Sequence, residues 1–307
     1  MHKIIAFCLL SLPLFAQDRW EISKVDSVFT LDSARWKPAV FGGISAIEPL
    51  GESTYLLVSD RQAPSPAAEQ QYSWGYRYKE GKISMEKPFF GIKNVESVRF
   101  HKPTSQYWFS YENDEETGIG YINSRQEAKI VRRYSMISSP FTSLNRGIEG
   151  LVAGRDLWYA FEAGLDSTMI VRWKGFNPKQ EVWYRYPLDR HACLAPQVPA
   201  GSRLGNGISE ILGIPGEQEK LLVLERCYDG KISPVYLYEV DFSKKPLQRT
   251  LVFTWNASTL FEGKHLRPDN FEGMCWGADK NTLLLAVDDN HNPRFQRTLI
   301  VTLKKIK

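Results

Sequence analysis

A set of acidic residues recurs at matching points of a repeated sequence pattern, and together they could bind a cation and catalyse hydrolysis. Each copy of the pattern has a short apolar strand, a turn, and a second apolar strand that ends on an acid. Carboxylate oxygens are the ligands that Ca²⁺ prefers. We therefore predict a divalent-cation site, with calcium as the favoured ion. Its predicted ligands are Asp60, Glu96, Glu112, Glu162, Glu225 and Asp288.

Two further acids and two arginines are the predicted catalytic residues. Glu149 and Glu272 open the first strands of their copies, and Arg146 and Arg294 stand close to these motifs in probable loop positions. Phosphoester hydrolysis needs an activated water and cationic groups that hold the phosphate, which these residue types supply. Other cations near the motifs are Arg61, Arg226, Arg267 and Lys264. The alternative is structural: each acid bonds backbone amides, and each arginine neutralises an acid.

A serine nucleophile is not indicated. The chain has no G-x-S-x-G elbow, which in any case belongs to a strand–turn–helix context. Ser45, Ser97 and Ser209 occupy small positions in the repeats, where we expect them to meet a packing requirement. The residues therefore favour chemistry by carboxylates over chemistry by a Ser–His pair.

The repeats predict the elements that must position these residues. Their anchors, Ile44, Glu96, Glu149, Ile208 and Glu272, are 52, 53, 59 and 64 residues apart, a period typical of propeller blades. Two more strand-like runs follow each copy except the last, which has one. The N-terminal run from Trp20 supplies the missing strand. We predict an all-β propeller of five four-stranded blades, closed by the N-terminal strand, with six blades as the alternative.

The first 17 residues have the pattern of a secretory signal peptide. Lys3 is followed by an apolar run from Ile4 to Phe15 and by the small residue Ala16, and the run is too short to span a membrane. We expect residues 18–307 to form a single exported propeller domain, periplasmic or extracellular, without a membrane span. Loss of Lys3 would lower the formal charge from +4 to +3, too little to favour nucleic acid.

Three cysteines remain after the predicted cleavage. An odd number in an oxidising compartment suggests one disulfide and one buried thiol. Cys275 lies within a predicted strand, which makes it the core thiol and Cys193 with Cys227 the favoured pair. The sequence leaves open whether that bond forms.

Five ordered motifs resemble those of the esterase-like, phytase-like family of secreted bacterial proteins. They are GGIS from Gly42, NRGIEGL, YRYPLD from Tyr184, LVLER, and DNFEGM with the ending DDNHNPRFQRTLIVTL. The resemblance extends from Phe41 to Leu303 and implies a β-propeller, export, and hydrolysis of a phosphoester or carboxyl ester. A stretch rich in paired Asp with Pro and Trp, typical of established propeller phytases, is missing, so phytate is not the predicted substrate.

Two functions follow as hypotheses. The first is an exported, cation-assisted hydrolase that acts on a small phosphoester or related ester. The second is a non-catalytic propeller that binds a ligand or a partner, because a fold does not fix a function and no nucleophile–base pair is evident in the residues. Turnover distinguishes the two.

Overall fold

The structure of the chain is a computed structural model. It describes residues 19–27, 41–60, 72–138, 146–162, 166–189, 205–228, 233–290 and 298–306. The predicted signal peptide, Cys193 and Arg294 lie outside these ranges. Among the described residues, no helix has the length and apolar character needed to cross a membrane.

The described strands form five four-stranded antiparallel sheets and one small hairpin. Blade 1 comprises β2 (Ile44–Gly51), β3 (Thr54–Ser59), β4 (Trp74–Lys79) and β5 (Lys82–Pro88). Blade 2 comprises β6 (Val95–His101), β7 (Gln106–Glu112), β8 (Glu116–Ile122) and β9 (Ala128–Ser135). Blade 3 comprises β10 (Ile148–Ala153), β11 (Leu157–Phe161), β12 (Ser167–Trp173) and β13 (Glu181–Pro187).

Blade 4 comprises β14 (Gly205–Gly213), β15 (Lys220–Tyr228), β16 (Val235–Asp241) and β17 (Gln248–Trp255). The hairpin β18 (Thr259–Phe261) and β19 (Lys264–Leu266) lies in the connection to the last blade. Blade 5 comprises β20 (Asn270–Trp276), β21 (Thr282–Asp288), β22 (Leu299–Ile306) and β1 (Arg19–Ser27). Two short 3₁₀ turns, Lys102–Thr104 and Lys174–Phe176, complete the regular elements of the described chain.

The two ends of the chain meet in blade 5. β1 pairs antiparallel with β22, so that Arg19 lies opposite Ile306 and Ser27 opposite Leu299. The inner strands β2, β6, β10, β14 and β20 contact one another in sequence, and β20 returns to β2. The architecture is therefore the predicted five-bladed β-propeller with its N-terminal closure, and the six-bladed alternative is wrong.

The hydrophobic core lies between the blades rather than at one centre. Five separate clusters of buried apolar residues each join two neighbouring blades. Because each sheet packs against two others, its inner strands are buried on both faces, as in β21, TLLLAVD. Large aromatic residues take part in this packing: Tyr76, Trp158 and Trp173 are at most 3% exposed. This packing holds the inner strands around a common axis.

A β-bulge near the start of every inner strand is the feature that shapes one end of this axis. The pairing with the second strand skips one residue in each blade. The skipped residues are Ser45, Glu96, Glu149, Ser209 and Glu272. A bulge re-aims the side chain of its extra residue. Neighbouring inner strands are very close here, since a Cβ on Gly150 would lie 2.6 Å from the backbone nitrogen of Ile211.

Candidate active site

Seven carboxylates and one guanidinium gather at the end of the axis where the inner strands begin; we call them the acidic ring. Three of the acids are bulge residues of the inner strands. The other four lie on the second strands or directly after them, each one residue beyond the residue that pairs with the position before the bulge. The members are Asp60, Glu96, Glu112, Glu149, Glu162, Arg226, Glu272 and Asp288. The structure thus brings together most of the acids that the sequence predicts as site residues.

Glu225 is the exception, because the structure does not bring it to the ring. Ile208, the residue before the bulge in blade 4, pairs with Glu225, whereas the equivalent Ile148 of blade 3 pairs with Phe161, directly before Glu162. The blade-4 counterpart of Glu162 is therefore Arg226. Adjacent residues in a strand point to opposite faces, so this difference of one residue turns Glu225 away from the ring.

Glu225 is a fully buried structural acid between blades 3 and 4. Its Oε1 accepts hydrogen bonds from the Tyr186 hydroxyl and from Arg249 Nη2, both at 2.6 Å. Arg249 also stacks over the rings of Tyr186 and Tyr238. Burial raises the pKa of Glu225, while Arg249 and the hydrogen bonds lower it. With its lone pairs occupied by these neighbours, Glu225 has a packing role.

Arg226 is the cationic centre of the acidic ring. Its Nη1 donates to Glu272 Oε1 and to Asn270 Oδ1, and its Nη2 lies 3.3 Å from Glu162 Oε1. Asn270 in turn donates to Glu272 Oε1 at 2.6 Å. One oxygen of Glu272, Oε2, is buried without a partner among the described residues. Burial raises the pKa of Glu272, and the charge and hydrogen bond of Arg226 oppose that rise.

Glu149 has the opposite environment. Its side chain is 5% exposed, and no described residue forms a hydrogen bond or an ion pair with it. Burial, followed by the charges of Glu96, Glu162 and Glu112, raises its pKa well above the usual range. These surroundings favour the protonated form of Glu149, whereas Arg226 favours the ionised form of the neighbouring Glu272.

The remaining ring acids are also poorly neutralised. Burial and the charge of Glu162 raise the pKa of Glu112 to about 8, against the 2.8 Å hydrogen bond that it accepts from the Gly147 amide. Burial and neighbouring carboxylates raise the pKa of Glu96 and of Asp288 well above their usual ranges. Like charges confined together disfavour ionisation, so the ring retains protons or takes up positive charge from elsewhere.

The donor set fits a hard divalent cation in kind. Its oxygens are carboxylates, and the unpartnered Oε2 of Glu272 lacks the positive partner that a cation provides. Yet among the described residues no three Asp, Glu, His or Cys side chains converge into a group that could hold a metal ion as they stand. Binding would thus require ring side chains to move together.

The predicted arginines are less informative. Arg146 lies directly before Gly147, whose amide bonds Glu112, and it is only partly exposed. It makes interactions of its own.

Cys227 is disulfide-bonded and Cys275 is a free, fully buried thiol. Ser97, considered as a small-position serine, bonds the carboxylate of Glu210 at 3.1 Å and is fully buried.

The opposite end of the axis is closed by a second ion cluster, which we call the axial plug. Arg99 Nη2 lies 2.7 Å from Glu210 Oε2, and Arg99 Nη1 lies 3.6 Å from Glu48 Oε2. The guanidinium also donates to four backbone carbonyls, one each from blades 1, 2, 4 and 5. The sequence did not indicate this plug, because its members lie in first strands at positions where the other copies have no residue of the same charge.

Comparison with known proteins gives the family and the fold. The sequence profile of the phytase-like family, described as esterase-like activity of phytase, matches residues 39–291. None of the curated proteins matches the sequence. An endo-arabinase from Bacteroides thetaiotaomicron superposes with a TM-score of 0.51 at 12% identity, over 87% of this chain and 94% of its own.

A second solved structure comes from the GH130 family of mannoside phosphorylases, which contains glycoside hydrolases that target β-1,2 mannosidic linkages in Candida mannan. It superposes with a TM-score of 0.50 at 9% identity, over 95% of each chain. At such identities these likenesses show the propeller fold alone.

Proposed function

The chain belongs to the phytase-like family, and from that premise we propose that it is an exported hydrolase of a phosphoester or related ester, with the acidic ring as its active site. The observation that carries the proposal is the pairing of environments inside the ring. Glu149 is buried without a partner, whereas Glu272 is bound by Arg226 and Asn270. Two acids whose environments separate their proton affinities can divide the acid and base roles.

In the proposed reaction Glu272 is the general base and Glu149 the general acid. A water molecule attacks the phosphorus or carbonyl carbon and loses its proton to Glu272. The bond to the leaving oxygen breaks as Glu149 gives that oxygen its proton. Arg226 stabilises the charged form of Glu272 before the reaction. Arg146 and Arg294, the arginines predicted from the sequence, are proposed to hold an anionic substrate.

A divalent cation, calcium first, is part of the proposal. The residues that would hold it are Asp60, Glu96, Glu112, Glu162 and Asp288. When bound it would offset the excess of carboxylates, which otherwise repels a phosphoester, and would polarise the scissile group. A neutral carboxyl ester does not meet that repulsion, so the effect of calcium on the two substrate classes separates them.

The test is turnover by the mature chain on a panel of phosphoesters and carboxyl esters, with and without calcium. We expect Glu149→Gln and Glu272→Gln each to lower kcat by about 10²–10⁴-fold, the usual contribution of a general acid or base. Glu127→Gln is the matched control, because Glu127 is half exposed on a turn remote from the ring. Circular dichroism and the melting temperature report whether each variant folds.

The second candidate function, a non-catalytic binding propeller, has its own observation: no three acids converge on a metal among the described residues. It makes a different prediction for the same panel. If the folded wild-type chain turns over none of the esters with calcium present, the hydrolase proposal fails. If calcium then still raises the melting temperature and Glu149→Gln weakens that effect, the ring is a binding site without catalysis.

A further inference from the structure

A cavity of about 480 Å³ lies at the axial plug, at the other end of the propeller from the acidic ring. Turns that connect first and second strands surround it, together with the ends of the inner strands. Glu48, Arg99 and Asp156 are its buried charged residues, at 9%, 4% and 6% exposure. Phe100, Trp158 and Trp276 provide aromatic surface. Small-molecule sites have this size and this combination of apolar wall with a few polar groups.

The charges around the cavity do not balance. Arg99 bonds Glu210 at 2.7 Å and reaches Glu48 only at 3.6 Å, so one guanidinium serves two buried carboxylates. Asp156, another lining acid, is already paired with Arg172 at 2.5 Å. Arg155 is exposed at the mouth, where it donates to Gln218. The group left short of positive charge is therefore Glu48.

The partners of Glu48 define what is missing. Its Oε1 accepts a hydrogen bond from the Phe100 amide at 2.9 Å, and among the described residues its Oε2 has only Arg99, 3.6 Å away. Phe100 lines the cavity with Glu48 and keeps 37% of its surface exposed. A carboxylate short of positive charge and aromatic side chains in the lining of one cavity are the combination that recognises ammonium groups, because the face of an aromatic ring attracts cations.

We propose that this axial cavity binds a small organic cation, an amine or quaternary ammonium compound. Its charged nitrogen would pair with Glu48 Oε2, and its hydrocarbon part would contact Phe100 and Trp276. The cavity is separate from the acidic ring, so the proposal does not depend on turnover. It assigns a ligand to a cavity whose described lining includes the plug residues Glu48 and Arg99.

The protonation of Glu48 supplies an independent readout. Burial raises its pKa to about 7, against the lowering by Arg99. A cation that pairs with Glu48 favours its ionised form, so binding near neutral pH releases protons to the buffer. Titrations in two buffers of different ionisation enthalpy measure that release, which neutral ligands would not cause.

The experiment is calorimetric titration of the full chain with choline as the probe and 3,3-dimethyl-1-butanol as its uncharged analogue. We expect choline to bind at least about tenfold more tightly than the analogue, as loss of a charge pair and a cation–π contact implies. Glu48→Gln should lower choline affinity by about the same factor. Glu127→Gln, an exposed residue outside the cavity lining, should leave it unchanged.

Phe100→Ala provides a second test that holds if the Glu48→Gln variant fails to fold. Phe100 is partly exposed, and its removal disturbs no buried charge. It should weaken choline binding while the melting temperature changes little. Equal affinity of the wild-type chain for choline and for the analogue, or no choline binding at all, would overturn the proposal. Binding that survives both Glu48→Gln and Phe100→Ala would place the cation elsewhere and overturn it too.

Discussion

The two ends of the propeller axis use one buried guanidinium each, to different effect. At the axial plug, Arg99 serves two carboxylates and four backbone carbonyls, and its side chain is 5% exposed. At the acidic ring, Arg226 stands among seven carboxylates and is 19% exposed. The plug has one carboxylate more than it has guanidiniums, whereas the ring has six more. The larger excess of acids leaves the ring with more free energy to gain from a bound cation than the plug.

Removing each arginine tests this contrast most strongly. Arg99→Met leaves Glu210 and Glu48 buried with no cation, and breaking a buried pair in this way costs about 3–5 kcal/mol. Arg226→Met should cost less, about 1–3 kcal/mol, because Arg226 is more exposed than Arg99 and burial favours the protonated forms of Glu96, Glu149 and Asp288. Urea denaturation gives both free energies of unfolding.

A conservative control separates charge from packing at the plug. Arg99→Lys keeps the positive charge but not the forked donors that reach several carbonyls, so its loss should fall between those of the wild type and Arg99→Met. Equal destabilisation by Arg99→Met and Arg226→Met would contradict the distinction between a structural plug and a functional ring.

Calcium should act on one end only. If the ring takes up a cation, calcium at a hundredfold excess over its Kd adds about 2.7 kcal/mol to the free energy of unfolding. A chelator should reverse the gain, and Glu149→Gln or Asp288→Asn should reduce it. Glu48→Gln, at the plug, should leave it intact. Thermal melts with and without calcium are sufficient, and an unchanged melting temperature would remove the cation from the proposal.

The architecture was predictable because it rests on repetition. Apolar strand pairs ending on acids recur five times, and closure followed from one strand missing at the C-terminus and one spare at the N-terminus. The pairing of β1 with β22 forms this closure. The acids at the start and end of the strand pairs could be expected at one end of the axis, since antiparallel neighbours return to the same end.

The details of the site depend on single residues whose positions differ from one copy of the repeat to another. The anchors chosen from the sequence mixed two registers: Ile44 and Ile208 precede the bulge, whereas Glu96, Glu149 and Glu272 are the bulge residues themselves. In LVLER the acid is Glu225, but the residue equivalent to the other ring acids is Arg226. The turns between first and second strands differ in length, so only the strand pairing identifies Arg226. The plug had no comparable signal, because Glu48 and Arg99 occupy the same strand position in blades 1 and 2 with opposite charges, and Glu210 occupies a different position in blade 4.

The two ends should also differ in the pH range over which they affect stability. Burial raises the pKa of Glu112 in the ring to about 8 and of Glu48 in the plug to about 7, both from about 4.5. A carboxyl with a raised folded-state pKa stabilises the fold while it retains its proton. That contribution is complete below about pH 4.5 and is lost as the pH rises through the folded-state value.

We therefore expect the protein, with divalent cations removed by a chelator, to lose stability from pH 5 to 8. Its free energy of unfolding should fall by about 1.4 kcal/mol per pH unit for each such carboxyl. Glu112→Gln, which keeps an oxygen acceptor for the Gly147 amide, should reduce the slope throughout, including between pH 7 and 8. Glu48→Gln should reduce it only below about pH 7. Urea denaturation in a pH series measures both slopes. If the two variants reduce the slope over the same pH range, the pKa of Glu112 is raised no further than that of Glu48. That result would contradict the distinction between the ring and the plug.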